Sequence, residues 1–378
     1  MTIRQGPAGP GATESADTGT PDSERRTFAG AVDWRWAART GAALVPAGPR
    51  TSRLAAEQAV AELAEASVRA ESPVRAVTGL LDDQPVPAAR IVDRPGWIGA
   101  AADSMSLLTG TGITGETGVP AGKPGGVLAG KPAGVQVGAM LAFLSTAILG
   151  QYDPFTGPDG TLLLVAPNIV GVERALGVTP ADFRLWVCLH EVTHRVQFSA
   201  SPWLSGYMRE NVEVLGDIED EATMEMLGRL IAELRLRRSG KAGDDPNSRG
   251  VVGLLRATQP PAQREALDRL LMLGTLLEGH ADHVMDAVGP SVVPTVEQIR
   301  SAFDRRRTRP ANPVQRLLRA LLGIDAKVAQ YVRGKAFVDE VVDTVGMQQF
   351  NVVWTDANTL PRTEEIDEPR RWIDRVLG

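Results

Sequence analysis

His190 and His194 stand four positions apart in LHEVTH, residues 189–194, with Glu191 between them. On an α-helix a step of four residues rises about 6 Å and turns only about 40°, so both imidazoles point the same way. Two ring nitrogens can then reach one ion at about 2.0–2.1 Å, the ordinary zinc–nitrogen distance. Glu191 lies about 100° around the helix from His190, beside such an ion rather than on it. That is the position for a general base acting on a metal-activated water. The competing reading is a chance pattern on an ordinary amphipathic helix. The chain has only 4 histidines, and the other two, His280 and His283, share one later segment, LLEGHADH.

Two histidines do not complete such a site, because a catalytic zinc commonly takes three protein ligands and leaves one position for water. Two Glu-x-x-x-Asp pairs offer the third: Glu278 with Asp282, and Glu213 with Asp217. In each, the glutamate would bind the ion. The aspartate, one turn on, would accept a hydrogen bond from a ligand histidine and fix its tautomer. Glu278 is favoured because it follows the apolar run LLMLGTLL, which draws its carboxylate inward, and a buried carboxylate needs a cation. Gly279 leaves room for a neighbouring helix to approach. Glu213 sits in MRENVEVLGDIEDEATMEM, where acids are spread over several faces and a solvated surface is the simpler reading. A further option uses His280 or His283 as ligand. His280 is about 200° from Glu278, so those two cannot face one ion. Cys188 is likewise about 200° from His190 and is expected in the core, not as a nucleophile.

The elements that must position these residues read as mostly helix. Apolar spacing begins near Trp34 and is strong over 53–70. Helices are expected over 181–198, 208–237, 262–287, 295–307, 312–321, 325–344 and 364–376. The apolar run 135–149 reads as a core helix, and TLLLVAP, 161–166, as a strand, one of very few. That strand is a candidate edge for pairing with an extended peptide; a purely structural strand is the alternative. DPFTGPDG before it is turn chemistry. Residues 1–27 are rich in Gly, Pro, Ser and Thr and are expected to be a disordered tail. Residues 110–134 are expected to form a flexible loop within one domain spanning 28–378. The fold class is mainly α with a small β element.

Bulk properties narrow the function. A net charge of −6 and a pI near 5.4 argue against nucleic acid as a partner. The basic run at Arg305, Arg306, Arg307 and Arg309 reads as a solvated helix end. One cysteine permits no internal disulfide and fits a reducing compartment. The N-terminus has no apolar signal core, and the longest apolar run is shorter than the roughly 20 residues of a membrane span. A soluble, cytoplasmic protein is expected. GTGITG, 110–115, fits a dinucleotide-binding pattern but lacks the preceding strand. GGVLAGKP, 125–132, resembles a phosphate-binding loop but has Pro132 where a hydroxyl is required.

HEVTH followed by EGHAD resembles the glutamate-zincin metallopeptidases, in which a later E-G-x-A helix supplies the third ligand. More closely, GQYDP, LLLVAPNI, LHEVTHRVQF, PWL and LEGHADHVMD together resemble a zincin-like family of zinc-dependent metalloproteases or hydrolases. The resemblance covers most of the chain after the tail. Members are often labelled as associated with coenzyme F420 biosynthesis; no deazaflavin site is expected here. The resemblance implies a zincin-like fold with an HExxH active-site helix, one zinc ion, His190, His194 and Glu278 as ligands, and Glu191 as base. The substrate would be a peptide or a small amide. Tyr207, Tyr331 and His283 are candidate donors to the transition-state oxyanion, and Asp282 the partner of a ligand histidine. Trp203 and FNVVW, 350–354, either line the cleft or pack in the core.

Overall fold

The computed structural model describes residues 32–81, 84–109, 131–216, 259–307 and 324–378. The expected tail, residues 110–130 of the loop expected over 110–134, the helix 312–321 and the stretch beyond 216 lie outside these residues. So do GTGITG, Asp217 and the side chain of Tyr331. Residues 131–134, expected in that loop, are helical instead.

The helices are α1 (Trp34–Leu44), α2 (Arg53–Arg69), α3 (Glu71–Thr78), α4 (Arg94–Leu108), α5 (Lys131–Leu144), α6 (Ala166–Leu176), α7 (Pro180–Ala200) and α8 (Trp203–Gly216). After the next described stretch begins come α9 (Pro261–Val288), α10 (Val296–Arg307), α11 (Ile324–Val345), α12 (Met347–Phe350), a 3-10 turn (Asn351–Trp354) and α13 (Pro369–Val376). Three short strands interrupt them: β1 (Arg90–Val92), β2 (Gly150–Asp153) and β3 (Thr161–Val165). Among the described residues the fold is mostly helical with one small sheet. No helix among the described residues is long and apolar enough to cross a membrane.

The sheet order is β1-β3-β2, with β3 parallel to β1 and antiparallel to β2. The expectation that 161–166 is an edge is therefore corrected: β3 is central and both its edges are paired. Its composition explains the place. Side chains alternate between faces along a strand. Leu162 and Leu164 enter the core with α7, while Leu163 and Val165 enter the core with Trp97 and Ile98 of α4 and Leu141 of α5. A strand covered on both faces reads as one apolar run rather than an alternation. Two other expectations shift. The apolar helix spans 131–144, not 135–149, and its last expected residues lead into β2. The C-terminal helix begins at Pro369, which suits a first helical position because it needs no N–H there.

α7 is held by apolar packing and by polar ties to its neighbours. Phe183, Val187, Cys188, Leu189, Val192 and Val196 are buried in the core shared with α2, α3 and β3. Asp182 in its first turn accepts hydrogen bonds from Thr295 N at 3.0 Å and Thr295 Oγ1 at 2.6 Å, tying α7 to the start of α10. Arg195, next to His194, pairs with the buried Glu71 of α3, which also receives Arg75 Nε at 2.6 Å. A second core holds α9 against α11, α12 and α13 through Leu273, Leu276, Phe337, Val341, Phe350 and Trp372. At the centre of that contact two glycines meet. A Cβ on Gly279 would lie 2.2 Å from the carbonyl carbon of Gly334, so the backbones of α9 and α11 touch.

Candidate metal centre

α7 and α9 meet so that His190, His194 and Glu278 point into one space. His190 Nε2 and His194 Nε2 are 3.2 Å apart, with their rings at 88°. Glu278 Oε2 lies 3.3 Å from His190 Nε2 and 4.0 Å from His194 Nε2. Donors at 2.0–2.1 Å around a tetrahedral ion sit about 3.3 Å from one another. The two nitrogens and the carboxylate are thus spaced for a single ion. The other candidate glutamate, Glu213, is exposed on α8 and outside this cluster.

The charges agree with that fit. Burial alone would lower the His190 imidazole. The Glu278 carboxylate, by hydrogen bond and charge, with Glu191 and Asp282 behind it, raises it to about 9 instead. Burial and the neighbouring His190 hold His194 below the usual imidazole value. Three carboxylates, Glu191, Glu278 and Asp282, act on His190, an excess of negative charge that suits a divalent cation.

Glu191 is 7% exposed and forms no hydrogen bond or ion pair among the described residues. Its carboxyl is pushed up to about 7, by burial first and by Glu278 as well, against the His190 charge. The side chain lies against the first residue of β2. A Cβ on Gly150 would fall 2.6 Å from Glu191 Cγ and 2.9 Å from its Oε1. A bare backbone at 150 is what leaves room for this carboxylate. The turn chemistry that follows Gly150 hid both the strand and its contact.

Second partners differ from expectation. Asp282 makes no hydrogen bond to either histidine and acts on His190 by charge alone. The partner of a ligand histidine is Gln197, whose Oε1 is 2.9 Å from His194 Nδ1. Gln197 lies one turn after His194 on α7 and is fully buried. A polar residue at a core position of an active-site helix was the available signal. His280 is not a ligand: it is fully buried, stacked on Phe350 with ring centroids 5.4 Å apart. Cys188 is buried, as its helical angle implies, and burial pushes its thiol up.

Two of the proposed oxyanion donors, Tyr207 and His283, are not gathered at the cluster. Tyr207 packs edge-on to Trp203 and lines a separate cavity of about 640 Å³ with Arg269, Met272 and Arg362. His283 is about 140° around α9 from Glu278. Its Nδ1 is 2.7 Å from Asp339 Oδ1 on α11, within a charged group that includes Lys335, Asp286 and Arg300. Trp203 and the 350–354 segment pack in the core: Phe350 and Val353 are fully buried, and Trp203 Nε1 donates to Trp354 O at 2.8 Å.

Comparison with known proteins agrees with this architecture. A solved structure described as a candidate hydrolase with a novel fold, from Chloroflexus aurantiacus, superposes with a TM-score of 0.59 at 30% sequence identity. The similarity covers 91% of this chain and 98% of that one. No curated protein matches. The family model described as zincin-like metallopeptidase matches residues 32–373, a span that holds both helices of the metal cluster and the whole sheet, and the chain belongs to that family.

Proposed function

We propose that the protein is a zinc-dependent hydrolase that cleaves peptide bonds, with His190, His194 and Glu278 holding the ion and Glu191 as general base. The observation that carries this reading is Glu191. A buried carboxylate without a partner is costly, and this one is held beside three convergent donors. Two imidazoles and a carboxylate form a catalytic zinc set that leaves a position open. Zinc, when bound, supplies acidification of water and polarisation of a carbonyl. Glu191, buried beside those donors, is placed to take a proton from the attacking water. The same oxygen then delivers that proton to the leaving amine nitrogen. A structural zinc site has no use for such a group.

The sheet suggests how substrate is presented. β2 is an edge strand, and its first residue touches Glu191. An extended peptide added along β2 would set a backbone carbonyl beside the base. The buried, lone Cys188 fits a cytoplasmic setting.

The test is metal analysis with a broad screen of peptides and small amides on wild type and Glu191→Gln. One zinc per chain in both, with hydrolysis only in wild type, supports the proposal. Turnover of small amides alone would move the substrate class. Zinc without turnover in either protein would make this a non-catalytic zinc-binding protein.

A further inference from the structure

We infer that Gln197 is the positioning residue of the metal centre, fixing the tautomer of His194 and the placement of Glu278 through one side-chain amide anchored on His280. This rests on the ligand set proposed above. The Gln197 amide makes three contacts, all at 2.9 Å: Oε1 with His194 Nδ1, and Nε2 with Leu277 O and with His280 Nδ1.

Leu277 O decides the rest. A backbone carbonyl can only accept, so the amide atom facing it must be the NH2. Oε1 therefore faces His194, and His194 Nδ1 must carry its hydrogen. That leaves the lone pair of His194 on Nε2, the nitrogen 3.2 Å from His190 Nε2 and directed at the cluster. The second hydrogen of the NH2 points to His280 Nδ1, which must accept. His280 then carries its hydrogen on Nε2, an atom that is buried and has no hydrogen-bond partner among the described residues. Leaving that donor unsatisfied is costly. The contact His280 makes through this amide is the one at its Nδ1.

The same amide sets a distance. Leu277 directly precedes Glu278, so the bond from Gln197 to Leu277 O joins α7 to α9 next to the third ligand. One side chain thus spans from a ligand on one helix to the backbone beside a ligand on the other. Partners behind metal-bound histidines typically change metal affinity about 10–100-fold when removed.

The first measurement uses the metal-free wild-type protein and needs no turnover. Nitrogen-15 NMR of the imidazoles should show His194 with its hydrogen on Nδ1 and His280 with its hydrogen on Nε2. Either histidine in the other tautomer overturns the inference. The second is zinc affinity by chelator competition. Gln197→Leu should bind zinc about 10–100-fold more weakly. Gln197→Glu keeps an acceptor for His194 but sets an oxygen against Leu277 O, and should also bind more weakly. Affinities within twofold of wild type in both variants would overturn the positioning role. A wild type with no zinc affinity would instead sink the proposed function, while the tautomer measurement would still decide the hydrogen-bond assignment.

Discussion

Gly150 and Glu191 are in direct contact: the space a methyl group would need on the strand is filled by the Cγ and Cδ of the carboxylate side chain. Gly150→Ala should therefore push Glu191 out of place without touching a ligand. A displacement of about 1 Å at a reacting group can cost about 100-fold in rate. The expected result is a fall in kcat of that order with one zinc still bound. Zinc content and kcat measured on the same preparation check it. Unchanged kcat would mean that the position of Glu191 against β2 does not matter to the reaction.

Zinc should stabilise the folded chain by mass action, because only the fold brings His190, His194 and Glu278 together. At free zinc 100-fold above Kd the gain is about 2.7 kcal/mol. A chelator should remove it. Glu278→Ala should bind zinc more weakly by more than the roughly 10–100-fold typical of an outer partner, and so melt near the metal-free temperature at the same zinc concentration. Thermal melts with and without chelator make the comparison. A variant with wild-type zinc affinity would remove Glu278 from the ligand set.

Two glycines on α9 should respond oppositely to alanine. At Gly279 the new Cβ meets the backbone of Gly334 and Lys335 at 2.2–2.6 Å, and backbone cannot step aside as a side chain can. Overpacking of this kind costs about 1–3 kcal/mol. Because Gly279 adjoins Glu278, zinc affinity should fall too. At Gly274 a Cβ meets nothing within 4 Å among the described residues. There alanine should stabilise by about 0.5–1 kcal/mol through helix propensity alone. Denaturant unfolding of both variants reads the difference, and equal effects would contradict the crossing described for α9 and α11.

The parts of the site legible in the sequence are those that follow from position along one helix. The 100° step places His190, His194 and Glu191, turns Cys188 into the core, and separates His280 from Glu278. The apolar run before Glu278 marked α9, and Gly279 marked a close approach. What depends on chain segments meeting in space was not legible. Nothing local shows that Gly150 touches Glu191 or that Asp282 misses both histidines, and the one hint of Gln197 is a polar residue at a core position of α7. β1 is only three residues long and β2 runs into turn residues, so neither carries a strand period. Without them β3 looked like an edge. Tyr207 was proposed from residue type alone, and type does not place a side chain at a site.

Glu365 should make stability depend on pH in the acid range. It accepts from Arg375 Nε at 2.6 Å, Arg375 Nη2 at 2.8 Å and Arg362 N at 2.8 Å. Burial would raise its carboxyl, but the Arg375 and Arg362 bonds outweigh that and hold it below the ordinary 4.5. A depressed folded value means that the fold favours the ionised form. The stabilisation is then complete above about pH 4.5 and is lost as pH falls through the lower, folded value. Breaking a fully buried pair costs about 3–5 kcal/mol. Arg375 is 23% exposed, so Glu365→Gln should cost less, about 2 kcal/mol, at pH 7. In melts from pH 7 to pH 3 the gap in Tm between wild type and Glu365→Gln should hold steady at first and close below 4.5. A gap that stays constant to pH 3 would show that this carboxylate is not what couples the C-terminal segment to pH.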